Sequence, residues 1–200
     1  MINSLARLPD VSLTEGRFCG ILYGTDQERG ASIMSQNLFL RPPRIVCLTG
    51  HRHILPSHAL LLPSLLDTKM RDLITRGTEE FRAGGAMGFD MLAALKVLEI
   101  RESVPGLRLR LCLPCRDQTR GWDEYSRRAY HYILDRADAV SYVADSYTPT
   151  CMLERDRRLV EGSDLCLAYC TQNRGGTFYT CTYALKRDVP LINLADELPK

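Results

Sequence analysis

Glu80-Phe81-Arg82-Ala83-Gly84-Gly85-Ala86-Met87-Gly88-Phe89-Asp90 reads as a short strand broken by a pair of glycines, and the chain runs on from there as a helix to Glu102. Met91, Leu92, Leu95 and Leu98 recur at three- and four-residue spacing, with Glu99 beside them, as on a helix with one buried face. Strand, tight turn and helix make half of a βαβ unit, and the same alternation continues in both directions. Strands are expected at Arg44 to Thr49, Glu80 to Ala83, Arg108 to Leu113, Ala139 to Ala144, Asp164 to Tyr169 and Val189 to Asn193. Helices are expected at Pro63 to Gly77, Gly88 to Glu102, Trp122 to Ala137, Thr150 to Glu161 and Thr177 to Arg187. The fold class that follows is α/β: a Rossmann-like, doubly wound, mostly parallel sheet flanked by helices.

Leu107-Arg108-Leu109-Arg110-Leu111 alternates apolar with charged residues, whereas the first, fourth, fifth and sixth strands are near-continuous apolar runs. Continuous runs belong to strands buried on both faces, so the alternating third strand is expected at an edge, as in the order 3-2-1-4-5-6. That order places the topological switch, and with it a ligand crevice, between the first and fourth strands.

The chain has 200 residues and a mass of 22.6 kDa, with 45% hydrophobic residues and a formal net charge of +2. One globular domain fits that length, and so modest a charge excess does not suggest a surface dedicated to a phosphate backbone. Nucleic acid is therefore not an expected partner. Neither is a membrane, since purely apolar runs such as Ala59 to Pro63 fall far short of a bilayer span. Met1 to Asp10 lacks the pattern of a secretory signal, which points to the cytoplasm. The eight cysteines then read mainly as reduced, small hydrophobic residues. Residues 1–43 differ from the rest. They are rich in turn formers, end at Pro42-Pro43 and read as a short N-terminal extension to the domain at 44–200.

Function in such a sheet belongs at the carboxyl ends of the strands. The first strand ends in Thr49-Gly50-His51-Arg52, where an imidazole and a guanidinium are placed to meet an anion or stack on a base. After the second strand, Gly84, Gly85 and Gly88 precede a helix whose free first-turn amides suit a phosphate. Asp90 has two readings there: a ligand for a ribose hydroxyl, or a carboxylate complementing the helix dipole. The fifth strand leads to Arg174-Gly175-Gly176-Thr177, a second glycine-rich entry into a helix. Arg155, Arg157 and Arg158 crowd the front of a helix, where cations are disfavoured. Arg155 and Arg158, three apart, are expected to share one face toward an anionic ligand, with Arg157 pointing elsewhere.

Other chemistry finds less support. Cys112-Leu113-Pro114-Cys115 has no second pair of ligands at zinc spacing, and Cys112 lies within a strand, so neither a metal nor a dithiol centre is expected there. No G-x-S-x-G elbow is present, and no resident cofactor is implied. Trp122 reads as an anchor fastening a helix to the sheet.

Taken together, Thr49 to Arg52, Gly84 to Asp90, Leu113 to Gln118 with Trp122, Cys151 to Arg155, and Arg174 to Thr177 resemble the YpsA-like branch of the SLOG superfamily over residues 44–194. The resemblance implies a Rossmann-like domain that binds a nucleotide-derived molecule, such as ADP-ribose, cyclic ADP-ribose or another NAD-derived signal, as a sensor or sequestering protein. It also implies self-association through helices beside the site. Two related activities are the alternatives: cleavage of nucleoside monophosphates, as in LOG-type phosphoribohydrolases, and single-stranded DNA binding, as in DprA/Smf proteins. The first would make Arg155, in Met152-Leu153-Glu154-Arg155, a catalytic residue. The glutamate that LOG enzymes carry after their glycine turn has no counterpart, because Phe178 to Leu185 contains no acidic side chain.

Overall fold

The computed structural model describes residues 42–200. The N-terminal extension read from the sequence lies outside the described residues, apart from Pro42 and Pro43.

Val46, Cys47 and Leu48 are wholly buried, and this run forms the middle of β1 (Ile45–Gly50) at the centre of a six-stranded parallel sheet. Five βα crossovers complete it in chain order: α1 (Leu62–Thr75), β2 (Glu80–Ala83), α2 (Phe89–Arg101), β3 (Arg108–Leu113), α3 (Glu124–Leu134), β4 (Ala139–Tyr142), α4 (Cys151–Val160), β5 (Leu165–Tyr169), α5 (Gly175–Lys186) and β6 (Leu191–Asn193). A short 3-10 turn, Leu194–Glu197, follows. Helices α1, α2 and α3 cover one face of the sheet, packing Leu66, Met70, Phe89, Val97, Tyr130 and Ile133 on Val46, Leu48, Phe81 and Leu111. Helices α4 and α5 cover the other, where Leu159, Val160, Cys181 and Ala184 meet Cys47, Cys166 and Ala168. The chain winds outward from β1 along one face and returns along the other, as right-handed crossovers require.

The strand order is β4-β3-β2-β1-β5-β6, not the expected 3-2-1-4-5-6. The third strand is internal and the fourth forms the edge. Two physical facts account for the difference. The arginines of β3 are not there because water is: the buried Glu80 carboxylate on β2 receives Arg82 at 2.8 Å, Arg110 at 3.2 Å and Arg108 at 3.6 Å. Burial pushes Glu80 up, but Arg82 and Arg110 outweigh it and hold the carboxyl below its usual range. Meanwhile Ala139, Val140, Ser141 and Tyr142, apolar as text, are all exposed or only partly buried, so β4 has the surroundings of an edge strand. The switch point therefore falls between β1 and β5. The loops after these two strands flank the switch point, with the β2–α2 turn on the other side of β1.

Candidate functional site

His51 ties the strand ends together. Its backbone amide donates to the Tyr169 carbonyl at 3.2 Å, its carbonyl accepts from the Phe89 amide at 3.1 Å, and its Nε2 accepts from the Thr171 amide at 2.9 Å. A ring nitrogen that accepts carries no proton, and burial holds the imidazole below its usual value, so His51 is neutral and structural in this arrangement. Thr49 is buried, Gly50 packs against the Phe89 ring, and Arg52 projects into solvent with its carbonyl against Gly88.

The β2–α2 turn is closely packed. A β-carbon on Gly84 would land on the Arg155 guanidinium and within 2.8 Å of Asp90 Oδ2. Gly85 lies over Leu113 and Tyr130, and its carbonyl accepts from Gln118 Nε2 at 3.0 Å. Two amides of this turn are already engaged from within, Ala86 with Asp90 Oδ2 at 3.4 Å and Phe89 with the His51 carbonyl. Asp90 itself is buried and faces Arg155 Nη1 at 3.4 Å. Burial raises its pKa while Arg155 opposes that rise.

On α4, Arg155 stands between two carboxylates, since its Nε also lies 3.0 Å from Asp156 Oδ1. Asp156 is buried, and desolvation pushes it up to about 6 despite the adjacent guanidinium. Arg158 turns outward to Glu154 at 2.7 Å, and Arg157 donates to the Tyr179 hydroxyl at 2.8 Å. Arg155 and Arg158 thus occupy different surroundings, one inside and one in solvent.

The β5–α5 turn is open where the β2–α2 turn is packed. No side chain caps α5, whose N-cap is Arg174. Gly175 has φ +87°, a conformation that favours glycine, and nothing lies within 4 Å of where a β-carbon would stand. Gly176 is exposed, the same position on it lies 3.8 Å from Asp156 Oδ2, and Thr177 is half-buried. Among the described residues, neither the Arg52 nor the Arg174 side chain has a hydrogen bond or ion pair. Uncapped first-turn amides with the unengaged Arg174 guanidinium at the N-cap form an arrangement suited to a phosphate.

Asp156 was not expected at the site from the sequence, and Gln118 entered only as the last residue of the Leu113–Gln118 segment. Asp156 carried a signal: it lies three and four residues before Leu159 and Val160, on the stripe that α4 buries. No group of three or more His, Cys, Asp or Glu that could hold a metal occurs among the described residues. The seven cysteines there are free thiols, and Cys112 and Cys115 are both buried.

Residues 57–189 match the YspA SLOG family. The chain belongs to that family. A UPF0398 protein of Halalkalibacterium halodurans is 30% identical over 158 residues, covering 72% of this chain and 82% of the relative. One from Bacillus thuringiensis is 29% identical over 114 residues, covering 56% of this chain and 62% of its own length. Among solved structures, this YspA SLOG chain resembles DNA processing protein A of Helicobacter pylori, described for its single-stranded DNA binding mode. The TM-score is 0.55 and the identity 19%, over 75% of this chain and 64% of the other. The Streptococcus pneumoniae protein of the same name gives a TM-score of 0.55 and 16% identity, with 73% and 48% covered. At such identities the likeness is one of fold. No helix among the described residues is long and apolar enough to cross a membrane.

Proposed function

We propose that this YspA SLOG protein binds a nucleotide-derived anion at the β1–β5 switch point, as a cytoplasmic sensor or sequestering protein that self-associates. The ligand class is ADP-ribose, its cyclic form or a related NAD-derived molecule. The observation that carries the reading is the open, uncapped start of α5 with the unengaged Arg174 at its N-cap. The amides of Gly175, Gly176 and Thr177 hold a phosphate there, and Arg52 and Arg174 add charge from the flanking loops. Arg155, clamped by Asp90 and Asp156, builds the wall between the two glycine turns. Isothermal titration with ADP-ribose, cyclic ADP-ribose, NAD and AMP tests this. Saturable binding of one of them is expected, and absence of heat at millimolar concentration for all of them overturns it.

One observation favours hydrolysis as a second reading. The carboxylate missing from α5 has a replacement in Asp156, which lies beside Arg155 and faces Gly176. Breaking an N-glycosidic bond calls for such a group to activate water. Release of free adenine from AMP, abolished by Asp156→Asn, supports it. The fold likeness to DNA processing protein A also makes single-stranded DNA a ligand worth titrating, against the expectation drawn from net charge. Affinity falling steeply with salt identifies that mode.

A further inference from the structure

Cys170 lies just past the end of β5, and alone among the seven described cysteines it is not fully buried. Its backbone is clamped on both sides by Asn193, which accepts from the Cys170 amide at 2.9 Å and donates to its carbonyl at 3.0 Å. Its sulfur donates to the Gln172 carbonyl at 3.2 Å and lies beside the thiol of Cys181, buried on α5. The two cysteines belong to the cluster that joins α5 to the sheet. The polypeptide between them contains the whole β5–α5 turn, Thr171 to Thr177.

We propose that Cys170 and Cys181 are an oxidisable dithiol whose disulfide ties α5 to the end of β5 beneath the open turn. Cys170 is the attacking sulfur. It is the accessible member, and the neighbouring Cys181 thiol lowers its pKa to about 7. Cys181, raised by the Cys170 thiol and by burial, is the resolving thiol. With a hydroperoxide as oxidant, the Cys170 thiolate displaces hydroxide from the peroxide oxygen and becomes a sulfenic acid. Attack by the Cys181 sulfur then forms the S–S bond and expels the sulfenyl oxygen as water. In sum, two thiols and one hydrogen peroxide give one disulfide and two waters. The remaining thiols fit the role less well: Cys47 and Cys166 are wholly buried, as are Cys115 and Cys151, and burial pushes Cys115 up to about 12.

Drawing the two sulfurs to bonding distance requires movement. Asn193 fixes the Cys170 end, so the shift falls on α5 and on the first turn that offers its amides. The disulfide therefore weakens anion binding, a consequence that rests on the function proposed above.

The test treats the full chain with hydrogen peroxide under native conditions and maps disulfides by peptide mass spectrometry without reduction. It is repeated on Cys170→Ser and Cys181→Ala, and each form is titrated with ADP-ribose. The expected result is a Cys170–Cys181 linkage, absent from both variants and reversed by dithiothreitol, with affinity about tenfold weaker in the oxidised wild type only. A different linkage, or Cys170 oxidised to sulfinic acid without Cys181, overturns the dithiol. Linkage formed with affinity unchanged overturns its regulatory role. If the reduced protein binds no nucleotide, the ligand proposal fails and the linkage map still decides the dithiol.

Discussion

Arg155 on α4 and Asp90 on α2, 65 residues apart in the chain, meet at 3.4 Å directly against Gly84. With Asp156 on the other side of the guanidinium, two buried carboxylates share one cation. The cluster joins the β2–α2 turn to α4, and through Asp156 it reaches the start of α5. Removing the cation is therefore costlier than removing either carboxylate. Arg155→Ala is expected to cost about 3–5 kcal/mol at neutral pH, because it strands buried charge. The deficit shrinks in acid, where the aspartates take up protons. Urea denaturation at pH 7 and pH 5 measures it, and an equal loss at both would refute the assignment.

Asp156 gives a pH dependence whose sign can be worked out. Its carboxyl titrates at about 6 in the folded protein against a reference value of 3.8, so the native state holds the proton more tightly than the unfolded chain. The stabilising contribution is complete below about pH 4 and is lost as pH rises through about 6. Asparagine has no such titration. Relative to wild type, Asp156→Asn is expected to gain on the order of 2–3 kcal/mol between pH 4 and pH 7. Denaturation midpoints across that range check this, and parallel curves would contradict it.

The two glycine turns predict contrasting alanine variants. Gly84→Ala pushes a methyl into the Arg155 guanidinium and is expected to cost about 1–3 kcal/mol through overpacking. Gly175→Ala meets no neighbour and bears only the strain of its positive φ, about 1 kcal/mol. Thermal denaturation of both, side by side, tests the distinction between a packed turn and an open one.

His51→Ala removes the acceptor of the Thr171 amide. The expected loss is about 1–3 kcal/mol, with faster amide exchange at Thr171, because a partly buried donor is left unsatisfied. Unchanged exchange there would show that the imidazole does not fasten the β5 loop.

These relationships were legible in the sequence to different depths. The elements and their order were plain, since runs such as Leu165–Tyr169 and glycine breaks such as Gly84-Gly85 are local signals, while some ends differ by two or three residues, as at α3. The α/β class followed from their alternation. Strand order did not, because it depended on which side chains neutralise Arg108 and Arg110, and Glu80 lies on another strand. The glycine turns announced themselves, but only packing separates the filled one at Gly84 from the open one at Gly175. Asp90 offered two readings as text. Its burial against Arg155 is a tertiary fact set by a helix 65 residues away.

The proposed function requires an anion held at the start of α5. Calorimetric titration of ADP-ribose into wild type, Arg52→Ala and Arg174→Ala proteins tests it most directly. Saturable wild-type binding is expected, weakened about tenfold in each variant by loss of a charge-assisted contact. Binding undisturbed by both substitutions, or no binding by the wild-type protein, would contradict it.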